Sequence, residues 1–325
     1  MAIGAEQFHE LVAATARKVE GELFDNVVVN HPTLEFLKDE AKSWAGDPVH
    51  LLVRGGANDS TVLTDESGSF SQAKDDDVVG RAVYDWSNFV VSKTRLPART
   101  LELNQGEGQL VDMAKTHLEA AEEGHAAEIS EMLFEDAGSM QSGAFLPLDA
   151  LIGDADSDAA AGIEVGGIDT NDANTSRDYW QSVRWTAAEG DWGIKEALRK
   201  TANNIYVASR KKANRLIVGQ DVFEEYEAAL DPNVRYQAMD VGETRFEELK
   251  FGGLTVRLDP DAPKDRVYFL YPKGMRFVHA PGAFMSVRDP QVVPGTLDYV
   301  TPIASLLCLA VGERRAQGLM IRDYA

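Results

Sequence analysis

The sequence predicts a mixed α+β fold, and three observations carry that reading. They are a long proline-free helical tract near 107–136, a helix, strand and helix unit near 193–230, and a series of short apolar strands after it. A chain of 325 residues can bury a large core, as one elongated domain or two compact ones. No repeat of solenoid period is visible. No apolar run approaches the roughly 18 residues that a membrane span needs.

In chain order, Phe8, Leu11, Val12, Ala16 and Val19 fall on one face of an opening helix. The opening tract has no basic leader followed by an apolar stretch, so no secretory signal is expected and synthesis should be cytoplasmic. FDNVVVNHPTLEFLKDEAK follows with a β-branched run, then Pro32 before Leu34, Phe36 and Leu37, which predicts an extended arm entering a short helix. VHLLV and STVLT read as short strands, and the polar DESGSFSQAKDDD after them cannot build a core of its own. RAVYDWSNFVVSKTRL, aromatic and β-branched, predicts one strand ended by Pro97.

Val111, Ala114, Leu118, Ala121, His125, Ile129 and Met132 recur at helical spacing in the longest helix, which would reach about 45 Å at its usual rise. Gly124 marks a weak point or a close contact within it. GDADSDAAAGIEVGGIDTNDANTS is a loop by composition. GIKEALRKTANNIYVASRKKA then predicts a basic helix, RLIVG a strand and DVFEEYEAAL a helix stopped at Asp231 and Pro232. LKFGGLTVRLD, RVYFLYP, MRFVHAP and SLLCLAV supply the remaining strands, with RRAQGLMI behind them.

Net charge is −21, and residues 1–180 hold 12 Lys and Arg against 34 Asp and Glu, leaving 20 against 19 afterwards. Such an excess cannot gain affinity from phosphate neutralisation, so direct DNA recognition is disfavoured. Lys195, Arg199, Lys200, Arg210, Lys211, Lys212 and Arg215 form the one basic cluster. It reads as a solvated helix face, or as a surface for nucleic acid or the acidic face of a neighbouring copy.

Signals for catalysis are weak. Glu122 and His125 form an E-x-x-H pair, as do Glu6 and His9, but no four-helix bundle surrounds them and His125 lies on the apolar stripe. Asp154, Asp156 and Asp158 imitate a calcium loop, yet Ala159 stands where glycine is needed and Val165 where the bidentate acid belongs. The GEG at 106–108 lacks the third glycine of a nucleotide fingerprint. Cys308, the single cysteine, sits in an apolar run and reads as a buried inert thiol. No catalytic, cofactor-binding or metal-binding residue is assigned.

Taken in order, these pieces resemble the major capsid proteins of tailed bacteriophages, those with the fold first seen in phage Hong Kong ninety-seven. DNVVVNHPTLEFLK is similar to the family's arm. RGGANDS, AVYDWSNFVVS and the helix ending EMLFED follow in the family's order. VGGIDTNDANTSRDYW, with Gly166, Gly167, Ile168, Asp169, Tyr179 and Trp180, is the most specific mark. RLIVGQDVFEEYEAAL, LKFGGLTVRLDP, VYFLYPKGMRF and ERRAQGLMI complete the series.

The resemblance implies an N-terminal arm over 1–44, an extended loop over 45–84 and a peripheral domain over 85–187 with a spine helix at 104–137. An axial domain over 188–299 and a return of 300–325 to the peripheral domain complete the expectation. It implies a non-enzymatic subunit that assembles with itself into pentamers and hexamers of an icosahedral virion head around double-stranded DNA, bound without sequence specificity and away from any membrane. Because only about forty residues precede the loop, a separate scaffolding protein or a cleaved precursor is implied, with the separate scaffold expected, and portal and decoration proteins are further expected partners. Lys74 is a conceivable cross-link donor, but nothing identifies its acceptor. An encapsulin-like compartment for protein cargo is the nearest alternative, disfavoured by the VGGID and YDW segments. A small-molecule α+β enzyme is the more distant one and would need a cleft with converging polar groups.

Overall fold

A computed structural model describes residues 31–54, 79–96, 107–136, 142–153, 165–168, 180–186, 192–230, 249–296 and 298–322. The expected opening helix at Phe8–Val19, the strand STVLT and Lys74 lie outside these residues.

Helix α1 (Pro32–Asp39) starts at the proline and buries Leu34, Phe36 and Leu37. Proline suits that position because the first helical N–H has no intrahelical acceptor. Its first turn is fixed by residues far along the chain. The Thr33 N–H donates to the buried Asp259 carboxylate at 3.1 Å and the Thr33 hydroxyl donates to the same oxygen. His31 Nδ1 lies 2.9 Å from Asp261 Oδ2, and this contact holds the Asp261 carboxyl below its ordinary pKa.

Strands β2 (Val49–Arg54) and β3 (Val79–Tyr84) pair antiparallel as a two-stranded ribbon. Sequence patterning predicts one strand over RAVYDWSNFVVSKTRL, but the structure divides it. After β3 the chain leaves the ribbon and re-enters a different sheet as β4 (Val90–Leu96). The crossover is held because the Ser87 N–H donates to the Leu307 carbonyl at 2.9 Å and the Leu307 N–H donates back to the Ser87 hydroxyl at 3.2 Å. The polar DWSN within the aromatic run was the available signal.

Helix α2 (Glu107–Phe134) spans 28 residues and packs Leu118, Ala126, Ile129, Met132 and Leu133 inward. It lies against β4, which pairs with β13 (Tyr299–Ser305); β11 (Ser286–Val287) and β12 (Gln291–Val292) occupy the other edge of β13. Pro302 is tolerated inside β13 because it falls between the stretches paired to β12 and to β11, where its missing N–H removes no ladder bond. A three-stranded sheet sets β1 (Lys42–Ser43), β10 (Met275–His279) and β14 (Leu307–Val311) side by side.

The largest sheet has the order β5 (Val183–Thr186), β15 (Gly318–Ile321), β9 (Arg266–Leu270), β6 (Arg215–Val218), β8 (Leu254–Leu258), β7 (Leu249–Phe251). Its strands bury both faces. Val267, Phe269, Leu216, Val218 and Met320 pack with helices α4 (Ile194–Ser209) and α5 (Gln220–Ala229), whereas Tyr268, Leu270, Ile217 and Leu319 join the core that contains α2 and α3 (Leu148–Ile152). Alternation with both sides covered explains why RLIV, VYFL and GLMI read as unbroken apolar runs.

After β9 the strands divide among the sheets. β10 pairs with β1 and β14, and β11 and β12 pair with β13, all outside the six-stranded sheet. β13 and β14 remain with them, while β15 inserts between β5 and β9.

Candidate assembly surface

Of the residues weighed for chemistry, His125, Glu122 and Cys308 are buried. His125 is fully buried, with Nδ1 2.9 Å from the Ser92 hydroxyl of β4 and Nε2 2.8 Å from the Ser305 hydroxyl of β13. Ser305 Oγ also accepts the Met285 N–H at 2.8 Å. The imidazole thus joins α2 to two strands, and burial lowers its pKa to about 4, so it is neutral at physiological pH. Glu122 is also buried, but among the described residues no three His, Cys, Asp or Glu side chains group as a metal site. Cys308 is buried in β14, and desolvation pushes its thiol up to about 12. Glu6, His9, Asp154, Asp156, Asp158 and Gly106 lie outside the described residues.

The VGGI motif has a structural role. Val165 to Ile168 forms a tight turn in which Gly166 and Gly167 take φ of 66° and 68°. The Gly166 carbonyl accepts the Val83 N–H at 3.0 Å, so the turn clips the outer edge of β3. A Cβ on Gly166 would sit 2.8 Å from the Ala82 Cβ and 3.2 Å from the Tyr84 ring. Trp180, fully buried, donates from Nε1 to the Val165 carbonyl at 2.9 Å, and the Tyr84 hydroxyl donates to the Val311 carbonyl at 2.7 Å. These bonds anchor the base of the β2–β3 ribbon. Gly166→Ala, forcing a left-handed backbone and a clash together, is expected to cost about 1–3 kcal/mol in denaturant unfolding of the unassembled chain. A loss below 0.5 kcal/mol would sink the clip.

Arg314, which sequence reading did not single out, is 3% exposed. Its guanidinium donates to the carbonyls of Leu151 at 2.8 Å, Trp180 at 3.0 Å and Gly153. The first arginine of ERRAQ carries no local sign of such a role, because its acceptors lie more than 130 residues upstream.

Several large apolar side chains are exposed among the described residues. Leu52 on β2 is 82% exposed, Phe89 on the crossover 58% and Val207 on α4 66%. A cleft of about 420 Å³ is lined by Phe89, Val91, Gly124, Glu128, Met132 and Gly143. Glu128 is its one titratable group among the described residues. The basic cluster is partly consumed within the chain: Lys200 pairs with Glu196 and lies over the Trp192 ring, and Lys211 pairs with Glu313.

No family model and no curated protein matches the chain. Solved structures do. The cyanophage A-1(L) capsid asymmetric unit aligns at a TM-score of 0.68 and 13% identity, over 90% of this chain and 92% of that one. The capsid of an empty GTA particle aligns at 0.56 and 12% identity, over 89% and 90%. The satellite phage P4 procapsid, solved with its size determination (Sid) protein, aligns at 0.52 and 13% identity, over 94% and 91%. With this likeness over about nine-tenths of its length, the chain has the capsid fold of the Hong Kong ninety-seven type.

Proposed function

We propose that this chain is a major capsid protein, a structural subunit that assembles with copies of itself into the pentamers and hexamers of an icosahedral phage head around double-stranded DNA. The observation that carries it is likeness to capsid structures along the chain: the alignments cover about nine-tenths of both partners. The exposed Leu52 and Phe89 fit a surface completed by neighbours. The boundaries follow the resemblance, with the arm over 1–44, the extended loop over 45–84 carrying the β2–β3 ribbon at its base, the peripheral domain over 85–187 around α2, and the axial domain over 188–299 around α4 and α5. Residues 300–325 pass through both bodies.

In this reading binding energy is spread over many contacts, and closed symmetry ends growth. A separate scaffolding protein, a portal and decoration proteins are its partners; the procapsid solved with its size determination protein supports the first of these. The protein is made in the host cytoplasm and resides in the virion. Size-exclusion chromatography and negative-stain microscopy of the purified chain, expressed with and without candidate scaffold, test the proposal. Hollow icosahedral particles or rings of five and six are expected. A monodisperse monomer or dimer under every condition would overturn it, and shells filled with protein cargo would favour the compartment reading.

A further inference from the structure

Helix α4 buries Ile194, Ala197, Leu198, Thr201 and Ile205 against the large sheet. On the opposite side Lys195, Arg199, Asn203 and Tyr206 fall within about 80° of one another at the helical repeat, and Arg210 follows where the helix closes. Lys200 and Lys211 already have acidic partners, and Lys212 lies 5.7 Å from the Tyr206 ring. Lys195, Arg199 and Arg210 have no acidic partner among the described residues and are exposed. Tyr206 and Val207, 44% and 66% exposed, give this face an apolar centre. Aromatic and arginine side chains around an apolar centre are what protein interfaces select.

Helix α2 presents the complement. Its outward stripe holds Ala120, Gly124 and Ala127, with Glu123, Glu128 and Glu131 exposed along it. The sequence contains no lysine or arginine between Lys115 and Arg177, so the helix carries no Lys or Arg from residue 116 to its end, the part that holds this stripe. Among the described residues nothing requires Gly124: a Cβ there would meet nothing within 4 Å, yet glycine in an exposed helix interior costs about 1 kcal/mol relative to alanine. Such a position is explained by another molecule approaching the helix closely.

Resting on the shell reading, we propose that the outward face of α4 docks on the outward face of α2 of a second copy of this chain. Arg199 and Arg210 meet Glu123 and Glu131, and Tyr206 and Val207 lie over the Gly124 stripe. The two faces match in length, roughly 20 Å each by helical rise. Two copies each carrying −21 repel as wholes, so a subunit that assembles needs local complementarity of this kind. The same net charge, and the apolar centre, favour a protein partner over nucleic acid, which rewards dense unrelieved cations.

A charge swap in the full chain tests this under conditions in which the wild type assembles. Arg199→Glu with Arg210→Glu, and separately Glu123→Arg with Glu131→Arg, are each expected to lower the assembled fraction at least tenfold by sedimentation velocity. Combining all four in one chain should restore it. Circular dichroism verifies folding, and the milder pair Arg199→Gln with Arg210→Gln serves should a reversal fail to fold; it too should reduce assembly. Reversals that assemble like the wild type, or a combination no better than its parts, overturn the docking. So does a basic-side reversal that loses only encapsulated DNA, which would assign the face to nucleic acid. A wild type that never assembles overturns the shell reading itself.

Discussion

Replacing Arg314 with methionine is expected to lower the unfolding free energy of the unassembled chain by about 3–5 kcal/mol. The guanidinium serves three carbonyls at once. Two of them, Leu151 and Gly153, lie at the C-terminal end of α3, and the third belongs to Trp180. A buried carbonyl stripped of its donor costs about 1–3 kcal/mol, and a helix C-terminus favours a nearby cation. Methionine fills much of the volume but donates nothing. Arg314→Lys keeps the charge without the planar fork, so it should recover less than half of the loss. Urea unfolding followed by circular dichroism measures both; variants within about 1 kcal/mol of wild type would mean that the clamp contributes little.

A loss of stability between pH 6.5 and pH 4 is the second large effect, and it belongs to His125. Burial places the folded-state pKa near 4, below the ordinary value of 6.5. Within that window the unfolded chain takes up a proton that the folded chain refuses, so stability falls as pH falls and is complete above pH 6.5. The difference is worth about 2 kcal/mol by pH 5 and about 3 kcal/mol by pH 4. His125→Gln loses some stability at neutral pH but should flatten the dependence between pH 7 and pH 5, a range above most carboxylate titrations. Parallel pH curves for variant and wild type would show that the imidazole does not control the slope.

His125 also shows how far local sequence reading reaches. Its place on an apolar stripe with Leu118, Ile129 and Met132 predicted a buried side chain, and His125 is fully buried. The identity of its partners, Ser92 and Ser305, was not legible, because they lie 33 and 180 residues away. The YDWSN tract is the opposite case. Its β-branched and aromatic content predicted one strand, and only the bonds from Ser87 to Leu307 and from Asn88 to Gly143 make it two strands in two sheets. The VGGI motif was visible as a motif, yet its task of clipping β3 depends on Ala82 and Tyr84 lying against Gly166.

By itself the sequence determined the α+β class, helices α1, α2, α4 and α5 and most strands, together with the concentration of acid in residues 1–180. These follow from period, turn chemistry and charge, all read within a few residues. The tertiary structure alone decided which strands are neighbours, that the large sheet is buried on both faces, and that Arg314 is a clamp while Arg199 remains on the surface. The reason is physical: a side chain's neighbours across a sheet or core are set by pairing and packing between distant segments, and the local pattern records only that a residue must be buried, not against what.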